Sequence, residues 1–266
     1  MYRSKHPKQN QTEAHQPLLR SCDFRFYGQL NDFLYTVRRQ RSYSFHFSGL
    51  PSLRDAIQAQ GVPHIEVDLI LVDSHSQPFD YHLSGGERVS VYPRFKAFEI
   101  AKSDRFSAKP LPTARFILDV HLGKLSRHLR LLGFDTLYRN DFEDSYIIDC
   151  ALREQRIILT RDLGILKQNR VTHGYFVRST DPNKQIEEVL QAFNVTDKCH
   201  PLTRCINCNG KLKRVSKAKI EDIIPEGTKR SYETFYQCQD CLQPYWRGAH
   251  HIGLMGKLAE HDHKQR

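Results

Sequence analysis

The chain has 266 residues, 39% of them hydrophobic, and a mean hydropathy of −0.59. No apolar run approaches the roughly 20 residues of a membrane span. The first twenty residues, MYRSKHPKQNQTEAHQPLLR, lack the apolar centre of a signal peptide, so a soluble cytoplasmic protein is expected. The formal net charge of +10 points to an anionic partner, nucleic acid before others. Residues 198–248 hold ten Lys/Arg against five Asp/Glu, whereas 113–195 hold twelve against eleven and 21–95 seven against eight.

Residues 1–21 read as a disordered basic arm. From 22 to 95 the pattern predicts strands at 22–27 and 43–47, a helix over 51–60 stopped by Gly61, and strands at 67–72 and 87–92. This β-β-α-β-β order, with the ending LSGGERVSVYPRF, resembles the ubiquitin-like β-grasp fold near its sulfur-carrier branch. Sulfur carriers act through a terminal Gly-Gly carboxylate. Here Gly85-Gly86 precedes a strand and 180 residues follow, so the pair is expected to supply positive φ in a tight turn. The segment is expected to be a docking module for a protein partner.

Residues 96–112 form a connector ending in Lys109-Pro110-Leu111-Pro112, which favours an extended, semi-rigid backbone. Residues 113–195 then alternate strand and helix. Strands are predicted at 115–120, 136–138, 156–159 and 174–178, and helices over 123–132, 145–154, 163–169 and 182–193. Such alternation implies a doubly wound parallel sheet. Asp181 and Pro182 open the last helix as cap and first-turn residue.

Residues 199–248 carry two CxxC pairs, Cys205/Cys208 and Cys238/Cys241, separated by 29 residues. Four thiolates at that spacing reach a tetrahedron about one Zn²⁺; an iron–sulfur centre is the chemical rival. With strands expected at 214–220 and 232–237 the segment reads as a zinc ribbon, its metal structural because no ligand position is left open. Lys211, Lys213 and Arg214, with several aromatics nearby, fit phosphate contact and base stacking on RNA. Residues 249–266 read as a tail. The leftover Cys22, Cys150 and Cys199 fit a reducing compartment.

The acidic residues of the middle segment carry the chemistry. Asp119 ends the apolar run Phe116-Ile117-Leu118, and Asp162 ends 157–161; between them lie Asp141, Glu143 and Asp144. Taken singly, Asp141, Asp144 and Asp181 could each cap a turn or helix. Asp119 and Asp162 follow strands where an isolated charge is costly. At neighbouring strand ends of a parallel sheet they would face the edge where ligands bind and share a hard cation, Mg²⁺ or Mn²⁺, with Asp144 or Glu143. Lys124, Arg127 and Arg161 are near that edge and could hold a phosphate backbone. Phosphodiester hydrolysis by metal-activated water is the expected reaction.

DVHLGKLSRHLRLLGFDT, DCALREQRIILTRDLGILK and CINCNGKLKRV…FYQCQDCLQPYWRGAHH resemble the Mut-seven-C family of PIN-like ribonuclease domains with a C-terminal zinc ribbon, to which a β-grasp domain is often fused. The resemblance covers about 22–251. It implies catalytic acids at Asp119, Asp144 and Asp162; a fourth acid is not clear, and Asp181 is the candidate. An RNA-binding or ribosome-associated adaptor with a degenerate PIN domain, and a sulfur-carrier-related protein, are the alternatives.

Overall fold

A computed structural model describes residues 19–93 and 111–247. Residues 1–18 of the expected arm, 94–110 with most of the connector, and the tail lie outside the described residues. Contacts divide the chain into two compact units, one of residues 1–62 and 67–106, the other of 63–66 and 107–266. Among the described residues no helix is long and apolar enough to cross a membrane.

The first unit is a five-stranded mixed sheet: β1 (Arg20–Phe26), β2 (Tyr43–Phe47), β3 (Val67–Val72), β4 (His75–Ser76) and β5 (Arg88–Pro93), ordered β2-β1-β5-β3-β4. The strands β1 and β5, far apart in sequence, run parallel at its centre. A parallel pair needs a crossover, and helix α1 (Leu53–Ala59) lies within it. The helix starts two residues later than predicted because Ser52 is its cap, accepting the Asp55 amide at 3.1 Å. Leu53, Ala56 and Ile57 are buried with Phe24, Phe26, Val89 and Val91. This is the ubiquitin-like β-grasp arrangement.

Gly85 and Gly86 have φ of +104° and +94° and form the turn into β5. Glu87 locks it, its carboxylate accepting the Ser84 and Gly85 amides at 2.6 and 2.7 Å and the Cys22 thiol at 2.8 Å. The glycine pair serves the turn here, since only a residue without Cβ adopts such φ freely.

The second unit holds a parallel sheet of β6 (Phe116–Leu118), β7 (Thr136–Leu137), β8 (Ile157–Thr160) and β9 (Gly174–Phe176), ordered β7-β6-β8-β9. Side chains alternate across it. Phe116, Leu118, Ile157 and Leu159 enter one core with α2 (Gly123–Leu131) and α5 (Pro182–Phe193). Ile117 and Ile158 enter the other with α3 (Asp144–Glu154) and α4 (Leu163–Lys167). Burial on both faces explains why these strands read as continuous apolar runs. The order reverses between β6 and β8: the chain leaves β6 toward β7 and returns to β8 on the other side. A ligand crevice belongs outside the carboxyl ends of those two strands.

The ribbon is a three-stranded antiparallel sheet of β10 (Leu212–Val215), β11 (Phe235–Cys238) and β12 (Pro244–Trp246), with a short helix α6 (Glu226–Ser231). The predicted strand 214–220 stops at Val215. Residues 217–219 turn in a 3₁₀ segment, and Ile220 and Ile224 fold back on Phe235 to make a small core. The second strand likewise begins at Phe235, not 232, which sets Cys238 at its end opposite Leu212.

Candidate functional site

Asp119 and Asp162 stand at the carboxyl ends of β6 and β8, the strands flanking the order reversal. Thr160 links them: its hydroxyl donates to Asp119 Oδ2 at 2.8 Å and accepts the Asp162 amide at 2.8 Å. Asp119 is 4% exposed, and its other oxygen accepts the Val120 amide at 2.6 Å. Asp162 caps α4 through the Gly164 amide at 2.6 Å.

Asp144 is the first residue of α3, whose packing on the Ile117–Ile158 face brings its start to the same edge. It is not the cap of that helix: Glu143 is the capping position and makes no side-chain cap bond. Burial raises the Asp144 carboxyl above the ordinary aspartate range, and the charges of Asp162 and Asp119 raise it further. Among the described residues none of the three carboxylates is ion-paired. Their oxygens do not gather within 4.8 Å, the spacing that the four-cysteine cluster meets. The donor set, all carboxylate and without a counter-cation, fits a hard divalent ion.

The other acids have partners of their own. Asp141 pairs with Arg139 at 2.6 Å, and Asp181 caps α5 through the Asn183 amide at 2.7 Å. Lys124 and Arg127 are exposed on α2. Arg161 is partly buried, and its Nη1 donates to the carbonyls of Val177, Arg178 and Ser179, tying down the chain after β9. Lys211, Lys213 and Arg214 are exposed at the start of and along β10; pleating places Lys213 and Arg214 on opposite faces.

Cys205, Cys208, Cys238 and Cys241 bring their sulfurs within 4.8 Å of one another. The Cys205–Cys241 and Cys208–Cys238 separations are 3.5 and 3.4 Å, and none forms a disulfide. A tetrahedron with Zn–S bonds of about 2.3 Å has an edge of about 3.8 Å, so the cage suits that ion. Amides of Cys208 and Asp240 point at Cys205 Sγ and Cys238 Sγ at 3.5 and 3.4 Å. Burial pushes the Cys205 thiol up, but hydrogen bonds from the Cys208 amide, the Tyr245 hydroxyl and the Asn207 amide outweigh it and bring it down to about 7.

The contacts that seat this knuckle on the α/β sheet have no motif in the sequence. Arg130, buried on α2, donates to the carbonyls of Ile206 and Asn207 at 3.1 and 2.8 Å and of Thr136 at 2.9 Å. Asp135 accepts from Arg156 at 2.8 Å, Asn209 at 2.8 Å and Arg204 at 3.3 Å. Burial would raise that carboxyl, but these donors hold it below the usual aspartate range.

Comparison with curated proteins and with solved structures returned no match. Two family models match: that of the Mut7-C ubiquitin domain over residues 20–99, and that of the Mut7-C RNAse domain over 114–258. With more than half of its length matched by the second, and with the parallel sheet and four-cysteine cluster in place, the chain belongs to the Mut7-C RNAse domain family.

Proposed function

We propose that the protein is a metal-dependent ribonuclease that hydrolyses RNA phosphodiester bonds, with Asp119, Asp144 and Asp162 holding Mg²⁺ or Mn²⁺. The observation that carries this reading is the trio itself: three carboxylates with no counter-cation among the described residues, set where the strand order reverses. Thr160 fixes the two strand-end acids relative to each other, and Asp144 approaches from α3. A bound divalent cation supplies Lewis acidity toward a phosphoryl oxygen and a water more acidic than bulk. Lys124 and Arg127 supply positive charge for the phosphates on α2, and Lys211, Lys213 and Arg214 do so on the ribbon. Zn²⁺ in the four-thiolate cage is structural. The β-grasp domain is the docking module for a protein partner. Free thiols at Cys22, Cys150 and Cys199 suit a reducing, cytoplasmic setting.

The test is cleavage of RNA and DNA by wild type, Asp119→Asn and Asp162→Asn, with and without added Mg²⁺ or Mn²⁺. Each substitution keeps size and removes charge, so each should lower RNA cleavage by at least about 100-fold while RNA binding survives. Cleavage at wild-type rates by both variants refutes the assignment. One observation favours a second reading, a non-catalytic RNA-binding adaptor: the carboxylate oxygens do not gather to coordinating distance, and Asp119 and Asp162 already accept backbone amides. Wild type that binds RNA and cuts none with either cation decides for it.

A further inference from the structure

The ribbon holds a groove of about 520 Å³, within the range of about 300–1,000 Å³ that takes a small organic ligand. Arg214, Tyr232, Glu233, Tyr236 and Arg247 are among the residues that line it. Strand β10 sets Arg214 directly across from Tyr236 of β11. Alternation along the strands puts both on the face turned away from Val215 and Phe235, which pack in the small core. The register of β11 on β12 pairs Phe235 with Trp246 and so carries Arg247, the next residue, to the start of β11.

Three of these side chains are left unused by the fold. Arg214 and Arg247 are exposed, and neither is ion-paired among the described residues. The carboxylate of the lining, Glu233, reaches Lys217 at 3.4 Å, so the guanidiniums keep a positive field over the groove. Tyr236 is half-buried, and among the described residues no other ring or cation lies on its face. Tyr232 differs: its ring leans on that of Trp246, with centroids 6.4 Å apart.

Two cations without partners and a bare ring suit a ligand that is anionic at one end and flat at the other. An acidic peptide would use the arginines and leave the ring idle. A nucleotide uses both, since guanidinium forks match phosphate oxygens and any base can stack on a tyrosine face. In a duplex both faces of a base are already covered, so only an unpaired nucleotide can lie there.

We propose that this groove binds one unpaired nucleotide of an RNA strand, with Arg214 and Arg247 on its phosphates and Tyr236 against its base. The assignment rests on the reading of RNA as substrate, and it makes single-stranded RNA the class that the ribbon holds. These residues bind the strand and have no part in the bond cleavage.

The test uses the full, zinc-loaded chain without added Mg²⁺ or Mn²⁺. The Kd of a fluorescein-labelled oligouridylate is read by anisotropy across a salt series. Arg214→Ala and Arg247→Ala should each raise Kd, and together they should flatten the slope of log affinity against log salt by about 0.7 per lost phosphate contact. Tyr236→Ala should raise Kd about 5- to 150-fold with the slope unchanged, and Tyr236→Phe, which keeps the ring, should bind as wild type does. A ribose-phosphate oligomer of the same length without bases isolates the stacking. It should bind wild type more weakly than oligouridylate does, and that penalty should shrink in Tyr236→Ala and persist in the arginine variants. Should Tyr236→Ala lose zinc in a chelator competition, Arg247→Ala, at an exposed position beyond β12, still decides: its slope must flatten. An unchanged slope in Arg247→Ala, an unaltered base penalty in zinc-loaded Tyr236→Ala, uridine monophosphate or duplex RNA bound as tightly as the single strand, or RNA that does not bind would each overturn the site. The nuclease reading fails separately: wild type that binds RNA and cuts none sinks that reading and leaves the groove standing, whereas full cleavage with unaltered Kd in every variant sinks the groove alone.

Discussion

Replacing Arg130 by Met tests whether the α/β domain holds the metal knuckle in shape. Arg130 is 4% exposed, and two of its three carbonyl partners, Ile206 and Asn207, lie between the ligands Cys205 and Cys208. Methionine keeps the aliphatic stem and removes every donor. Three carbonyls then lose a partner, at about 1–3 kcal/mol each where they stay dry. Part of this is offset because a cation no longer has to be buried; burial already lowers the pKa of this guanidinium. A net loss of about 2–4 kcal/mol follows. At about 2–4 °C per kcal/mol for a unit of this size, Tm should fall by about 4–16 °C. The knuckle, no longer seated, should also bind Zn²⁺ about 10- to 100-fold more weakly, as when outer-shell partners are lost elsewhere. Coupling is reciprocal, so the Tm loss should be larger in zinc-loaded than in zinc-stripped protein. Thermal unfolding of both forms and zinc competition against a colorimetric chelator measure these quantities. A lowered Tm with unchanged zinc affinity would mean that Arg130 supports only the turn into β7. An unchanged Tm would refute the hydrogen-bond reasoning itself.

Gly210→Ala should weaken zinc binding, because a Cβ there would lie 2.8 Å from Cys238 Sγ and press on Asp240; chelator competition checks it, and undiminished affinity would show that the second knuckle can retreat. Asp144→Asn should raise Tm at neutral pH without divalent cation. The raised folded pKa means that this group's contribution is complete below the unfolded value near 3.9 and is lost as pH rises through the folded pKa. The carboxyl is largely exposed, so screening keeps the gain below about 1 kcal/mol, and calorimetry at pH 4 and pH 7 should show the advantage only at the higher pH. Changing Lys211, Lys213 and Arg214 to Ala should weaken RNA binding and flatten the slope of log affinity against log salt by somewhat under one unit per lost phosphate contact; an unchanged slope would place RNA contact elsewhere.

The elements legible in the sequence were those with a period long enough to read. Ile157-Ile158-Leu159 is apolar throughout because alternate residues feed two cores, and α5 was bounded at both ends by its Asp181-Pro182 start and its periodicity through Phe193. Strand β12 was missed: it has three residues and opens on a proline, which suits an edge strand but reads as a turn. Asp119 and Asp162 were visible because each closes an apolar strand. Asp144 needed the family resemblance, since beside Ser145 it looked like a cap. Arg161 was read with Lys124 and Arg127 as a residue that could hold the phosphate backbone; that its Nη1 also serves three backbone carbonyls had no signal in the sequence. Nor could the seat of the ribbon be foreseen. Arg130 meets Asn207 across 77 positions by a side-chain-to-carbonyl bond, a contact with no periodicity and no motif.

What separates the acidic trio from the other acids of this unit is the identity of its neighbours. Asp135 has Arg156 and Arg204, Glu154 has Arg153 and Arg156, and Asp149 has Arg170. Glu188 lacks an arginine but accepts the Tyr175 hydroxyl and the Arg178 and Ser179 amides, so a missing cation alone marks nothing. Asp119 resembles Glu188 in being held by neutral donors. The difference lies at Asp144, which accepts no hydrogen bond among the described residues and feels two further carboxylates. A fold that needed this acid only for stability would gain by changing it to Asn, which removes the repulsion at no cost in volume. On the proposed function, a divalent cation held by the trio would offset that repulsion.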